Sequence, residues 1–217
     1  MLSFAYKWLG EEKIHCRALC DYPNYKRNKH DDGELVQELH GLLSKADFIV
    51  AHNGDAFDIK RTNARLMLHG LDPPKPSKTI DTLKEARKTI KGNSNRLDAL
   101  ARYFGYGRKL PHTGKDLWLG CVRGDMKAWK IMKRYNIHDV YLLEKVYLKL
   151  RPWMKNHPNL SIITRKLKAC PKCQSTHTWK QGFRYTRTGE SQQYQCLDCF
   201  SWFQGNYVKL DNKIEFR

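Results

Sequence analysis

The sequence predicts an α/β domain of helices laid on a mixed sheet, followed by a small all-β unit. Three observations point there. Over residues 1–155, short apolar runs of strand length alternate with stretches of helical periodicity. A stretch at 156–168, entered through Arg151-Pro152 and His157-Pro158, breaks that alternation and reads as a linker. Beyond it, residues 169–217 hold four of the chain's 7 cysteines as two CxxC pairs, with strand-like, aromatic-rich sequence between them.

The elements follow in order. Leu2 to Leu9 and Ile14 to Leu19 alternate in character around the turn at Gly10 to Lys13, which predicts a hairpin. Asp21 to Asp32 is polar and reads as a loop. Gly33 to Lys45 places Leu35, Val36, Leu39, Leu42 and Leu43 on one helical face. Asp47 to Ala51 is a short buried strand. Asp58 to His69 returns to helical spacing and stops at Gly70 and Pro73-Pro74. Thr79 to Leu83 ends a strand or loop and opens a helix, with Asp81 suited to cap it. Leu97 to Phe104 is a further helix, and Met126 to Leu150 a long one. In the last unit, Thr178–Tyr185 and Ser191–Gln195 predict a hairpin turning at residues 187–190.

Composition narrows the function. Hydrophobic residues make up 41% and aromatics 12%, enough for a packed core. Net charge is +18, and the excess is spread along the chain. A distributed basic excess favours a polyanionic partner, nucleic acid first among them. No apolar run reaches membrane-spanning length, and the N-terminus lacks the pattern of a secretory signal. Paired CxxC units read as metal sites in a reducing compartment, and the expected location is the cytoplasm of a bacterial or phage-infected cell. Cys16, Cys20 and Cys121 are isolated and read as structural thiols.

The chemistry concentrates in two places. His52 to Asp58, HNGDAFD, follows the apolar strand directly, so Asn53 and Asp58 stand just past a strand's C-terminal end, where α/β sheets assemble sites. YNIHD, Tyr135 to Asp139, puts a phenol and a carboxylate four residues apart on one helical face. Phosphodiester hydrolysis needs charge neutralised at the phosphate and a water made nucleophilic; carboxylates holding Mg²⁺ or Mn²⁺ do both. Asp58 and Asp139 are candidate metal ligands. The plain alternatives are a helix N-cap for Asp58, a solvated helix face for Asp139 and an ordinary half-buried aromatic for Tyr135. Asp55, Asp81 and Asp98 read as a loop acid, a helix cap and a helix-surface charge. Lys60, Arg61 and the Arg108-Lys109 pair are candidate phosphate contacts, each against a solvated-surface alternative.

In order and context, Asn53 to Asp58 and Tyr135 to Asp139 resemble the second and third motifs of the DnaQ-like, Tyr-type DEDD 3′-5′ exonucleases of the ribonuclease H-like superfamily. AYKWLG, TIDTLKEARK, RLDALARYFG and LRPWMKNHPN look like its bacteriophage branch. The resemblance covers residues 1 to about 160. It implies that Asp58 and Asp139 hold catalytic Mg²⁺ or Mn²⁺, that Tyr135 orients the attacking water, and that Asn53, with Lys60 and Arg61, contacts substrate. The family's first motif, Asp-x-Glu on the first strand, reads as missing, with no Asp-x-Glu expected anywhere before Asn53. The chain is therefore expected to begin after that strand, leaving the domain N-terminally incomplete, with a complementing segment as one expected partner. The expected substrate is DNA, as a single-stranded 3′ end, with replication proteins as further partners. The rival reading is a catalytically inactive nucleic-acid-binding protein.

Cys170, Cys173, Cys196 and Cys199 have the spacing of a closed tetrahedral structural Zn²⁺ site, a zinc ribbon. A unit of this size needs such a staple. His177 is a spare ligand. Lys180, Arg184 and Arg187, interleaved with Trp179, Phe183, Tyr185 and Trp202, could track a phosphate backbone and stack bases; filling the unit's small core and docking a protein are the alternatives.

Overall fold

The structure is a computed structural model that describes residues 1–111 and 113–210. The chain forms two compact units, Met1–Tyr147 and Leu148–Arg217. The tail assigned to the second unit, 211–217, lies outside the described residues.

In the first unit, β1 (Ser3–Tyr6) and β2 (His15–Ala18) form the expected antiparallel hairpin, Ser3 opposite Ala18 and Tyr6 opposite His15. The polar loop that follows is wound into two 3₁₀ turns, Leu19–Asp21 and Pro23–Lys26. Pro23 starts the second, where its fixed φ and missing N–H cost nothing. Helix α1 spans Gly33–Lys45 with Leu35 and Val36 fully buried. Arg17 and Tyr22 both donate to Glu38 of α1, at 2.7 and 2.5 Å, which ties the hairpin and its exit to the helix. Strand β3 (Phe48–Ala51) crosses through α2 (Asp58–Leu68) to the parallel strand β4 (Lys78–Asp81), with Ala51 opposite Asp81. Helices α3 (Thr82–Thr89), α4 (Leu97–Tyr103), α5 (Lys115–Arg123) and α6 (Met126–Leu150) complete the order. The sequence reading did not assign α5.

The mixed α/β architecture is as read from the sequence, with its strands in small sheets. Among the described residues, β1 pairs only with β2, and β3 only with β4. The core lies against the hairpin: Ala18, Leu19, Tyr25 and Leu35 pack with Leu117 and Cys121 of α5 and Ala128, Trp129 and Met132 of α6. The Trp129 indole N–H donates to the Tyr25 hydroxyl at 3.0 Å, so the largest buried side chain keeps no orphaned donor. Gly124 ends α5 at φ 92°, and a Cβ there would meet the Lys29 ammonium at 2.7 Å. Burial pushes the Cys16 and Cys121 thiols up to about 11, in keeping with unreactive structural cysteines.

The second unit is built on two matching knuckles. Cys170 N–H donates to Ser175 O at 2.7 Å and Cys196 N–H to Ser201 O at 2.9 Å. Each CxxC is followed by a residue in the left-handed region, Gln174 at φ 66° and Phe200 at φ 60°. Strands β5 (Thr178–Tyr185) and β6 (Gly189–Cys196) pair as expected. A third strand, β7 (Trp202–Lys209), joins β6 on its other side, which the two-stranded expectation missed. Residues 160–163 form a helical turn, α7 (Leu160–Ile163), capped by Asn159. The buried Ser161 hydroxyl lies 3.1 and 3.0 Å from the Ala169 and Cys170 carbonyls, which anchors this turn to the first knuckle.

One charged group in the first unit is almost completely buried. Asp32, at the N-terminus of α1, is 1% exposed and receives the Arg65 and His69 side chains of the α2 region and the Met1 amine. Burial alone would raise its carboxyl; hydrogen bonds from Arg65, the amine and His69 outweigh that and hold it well below the carboxylate range. Because the folded value lies below the unfolded one, the contribution is complete above pH ~4 and fades as the pH falls toward the folded value. Asp32→Asn is expected to cost roughly 3 kcal/mol at neutral pH, since it leaves Arg65 without its counter-charge. Urea unfolding should show the wild type losing this advantage over Asp32→Asn progressively as the pH falls below about 4.

Candidate functional site

The segment after β3 is organised by one carboxylate from the neighbouring strand. Asp81 ends β4 and is 5% exposed. It caps α3, as expected, by accepting from Leu83 N and Lys84 N at 3.0 and 3.4 Å. It also accepts from Asn53 N at 2.9 Å and Asp55 N at 3.4 Å. The loop between β3 and α2 therefore hangs on the β4 terminus. Asn53 adopts φ 64°, a conformation asparagine tolerates better than most residues. Gly54 is buried beneath the loop, and a Cβ there would sit 2.4 Å from that of Ala51. Thr82 Oγ1 donates to Ala51 O at 3.1 Å, so the His52 Nδ1–H, 2.9 Å away, donates to Thr82.

Asp58 is the first residue of α2, and its N-cap is Phe57, so Asp58 is not a capping side chain. Asp58 is solvent-exposed, yet its carboxyl is raised from the ordinary value by partial desolvation, with the Asp81 charge adding to the rise; its own N–H and Arg61 act against it. Arg61 lies over the Phe57 ring at 4.0 Å. Lys60 and Asn53 are solvent-exposed.

The second place is one face of α6. Lys109, on the segment after α4, donates to Asp139 Oδ2 at 2.6 Å and to the Tyr135 hydroxyl at 3.1 Å. The i, i+4 spacing thus brings Tyr135 and Asp139 to a common partner. Burial would lower the Lys109 pKa, but the Asp139 hydrogen bond and charge outweigh it and hold the ammonium above the ordinary lysine value. Asp139 Oδ1 is buried without a hydrogen-bond partner among the described residues. Asp98, expected as a helix-surface charge, has a positional role instead: it accepts from Lys109 N at 2.8 Å and pairs with Arg102 at 3.1 Å. Lys109 stands as an ion-pair partner of Asp139, and no periodicity could have revealed this.

His52 links the neighbourhoods. It lies within electrostatic range of Asp81, Lys109 and Arg87; burial, followed by Lys109 and Arg87, lowers its pKa against the opposing pull of Asp81. Asp81 thus lies within electrostatic range of both Asp58 and His52, and His52 within that of Lys109, the partner of Asp139.

The donors only partly suit divalent cations. The orphaned Asp139 Oδ1 and the Asp58 carboxylate are the right ligand type. Neither belongs to a group of three or more potential ligand side chains gathered within 4.8 Å among the described residues. An Asp-x-Glu spacing does occur before Asn53, at Asp32-Gly33-Glu34. It sits at the start of α1, not on a strand. Asp32 is committed to Arg65, His69 and the Met1 amine, and Glu34 accepts from Asn24 N at 3.1 Å. These residues cannot serve as the missing first motif.

In the second unit, Cys170, Cys173, Cys196 and Cys199 bring their sulfurs within 4.8 Å of one another, with Cys170–Cys199 at 3.6 Å and Cys173–Cys196 at 3.5 Å. Four thiols so placed are compatible with a structural zinc. Burial pushes the Cys170 and Cys173 thiols up, while hydrogen bonds with Ser201 and the neighbouring thiols lower Cys199 against the effect of its own burial. His177 instead pairs with Asp198 at 3.1 Å.

Gly54→Ala is expected to destabilise the first unit by roughly 1–3 kcal/mol, because the new methyl must displace Ala51. A lowered urea midpoint at unchanged slope would register it.

Comparison with known proteins bears on the family of the first unit. No curated protein matches the chain. A family model described as RNase_H superfamily (RNase_H_2) matches residues 12–151, more than half of the sequence and all of the segment from β2 to the end of α6. The chain belongs to the RNase H superfamily.

Proposed function

We propose that this protein is a metal-dependent 3′-5′ exonuclease acting on DNA, in the cytoplasm of a bacterial or phage-infected cell, whose site is completed by a strand carrying Asp-x-Glu. Superfamily membership supports nuclease chemistry on nucleic acid. The observation that carries the finer reading is the α6 face: Asp139 keeps a buried, unpartnered carboxylate oxygen beside Tyr135. Bound Mg²⁺ or Mn²⁺ would neutralise the scissile phosphate and make a water nucleophilic. Asp139 Oδ1 and Asp58 are the donors this chain offers for it. Tyr135 would orient the water, with Lys109 fixing the phenol and countering Asp139 in the absence of metal. Asn53, Lys60 and Arg61 stand on the Asp58 loop and helix, where they would meet the substrate backbone.

Two observations support completion by an added strand. β1 and β3 each have a single strand partner among the described residues, so each leaves an edge able to accept another strand. The described carboxylates near Asp58 and Asp139 also fall short of a two-metal donor set. The same shortfall favours the second reading, a nucleic-acid-binding protein without catalysis. There the Lys109–Asp139 pair would be a permanent structural ion pair.

The two readings part in one assay. DNA degradation should need Mg²⁺ or Mn²⁺ and be far stronger when a segment bearing an Asp-x-Glu strand is supplied in cis or in trans. In that complete form, Asp139→Asn should cut the rate by at least 10²-fold and weaken Mn²⁺ binding measured by electron paramagnetic resonance, in line with loss of a charge-stabilising group. Full activity of the 217-residue chain alone would refute completion by an added strand. Nucleic-acid binding with no cleavage in either form would favour the second reading.

We further propose that the four cysteines hold a structural Zn²⁺, making the second unit a zinc ribbon. Cys196→Ser should bring zinc content measured by atomic absorption close to zero. It should also abolish hydrogen-exchange protection across β5, β6 and β7, because so small a sheet has little core besides the metal.

A further inference from the structure

The three-stranded sheet has two unlike faces. Alternate residues of a strand point to opposite sides, so its register sorts every side chain. Cys196 and Tyr194 of β6 share one face. There Tyr194 stacks on Phe203, rings 5.3 Å apart and 12° from parallel, and Phe203 packs on the thiol cluster. That face is the unit's core.

Residue Gln195 belongs to the other face, and it pairs with Trp179 on β5 and Trp202 on β7. The two tryptophans flank it on one rung, their strands about 9.6 Å apart as two interstrand spacings. They are 59% and 52% exposed. Tryptophan has more apolar surface to lose to water than any other side chain, and nothing described covers these two. Farther along the same face, Ser191 pairs with Arg184 and Tyr207, and Gly189 with Lys209. All the charge on this face is positive. The described acids of the unit lie elsewhere: Glu190 points to the opposite side, and Asp198 sits in the second knuckle paired with His177.

We infer that the sheet face carrying Trp179, Gln195 and Trp202 is a binding platform for single-stranded nucleic acid. Flat rings would stack unpaired bases, the Gln195 amide between them would meet base edges, and Arg184 and Lys209 would follow the phosphates. A protein partner would meet the same rings, but the uniformly positive rim complements a polyanion. The platform belongs to the second unit, and the proposal stands whether or not Asp58 and Asp139 serve cleavage.

The test is binding by the full-length, zinc-loaded protein of short fluorescein-labelled oligo(dT) and oligo(U), followed by anisotropy without added Mg²⁺. Trp179→Ala/Trp202→Ala should weaken binding of at least one strand by about tenfold or more, a loss expected for removal of stacking partners. Trp179→Phe/Trp202→Phe should recover most of it, since a flat ring remains. Phe183→Ala/Tyr185→Ala, on the opposite face, should change affinity little. Circular dichroism and zinc content show whether each variant keeps its fold; the indoles are exposed, so they should. Unchanged affinity in the folded double-alanine variant, or an equal loss from the opposite-face pair, would overturn the platform.

Discussion

The arrangement of the first unit depends on the Asp81 carboxylate and the four backbone N–H groups that converge on it. A parallel strand pair ends with its backbone donors pointing at nothing, and a buried donor left unpaired costs on the order of 1–3 kcal/mol. One acid at the end of β4 satisfies the first turn of α3 and the loop leaving β3 together. This fixes where α2 begins, and so where Asp58 stands. The close approach of Gly54 to Ala51 is the steric side of the same arrangement. Asp81 acts by holding others, and the local charge it adds is also part of why the Asp58 carboxyl is raised.

A comparable economy operates on α6. Tyr135 and Asp139 would be an acid and a phenol on a half-buried surface if Lys109 did not reach them. The ammonium compensates one carboxylate oxygen and leaves the other orphaned. Such a group is costly in a purely structural site, because a buried acceptor with no donor has lost its water for nothing. That orphaned oxygen is the observation on which the proposed cation-binding role rests.

The second unit divides its aromatic residues between two tasks. Tyr194 and Phe203 face the thiols and supply the core; Trp179 and Trp202 face away from it. Composition presents them as one pool. Only the register of β5, β6 and β7 separates ring from ring, since a shift of one residue would exchange the two faces.

Much of the fold was legible locally. Apolar periodicity placed α1, β3, α2 and α6 within a residue or two, because each buries one face and so carries that face in its sequence. α5 escaped, although Leu117 and Cys121 lie in the core, because its other face is also apolar: Trp118, Leu119 and Val122 are exposed. β7 escaped because it follows the last cysteine, past the hairpin that the two CxxC pairs frame, and its segment carries no second turn signal pairing it with β6.

By itself, the sequence determined the order of most elements and the four-cysteine cluster, and it offered Asn53, Asp58, Tyr135 and Asp139 as candidates, all of which rest on spacing along one chain. Tertiary structure alone decided that Lys109 pairs with Asp139, that Asp98 places Lys109, that Asp32 is consumed by Arg65 and His69, and that two tryptophans share a rung. Those contacts join residues far apart in sequence, and their energies arise from desolvation and hydrogen bonding that exist only once the chain has closed around them.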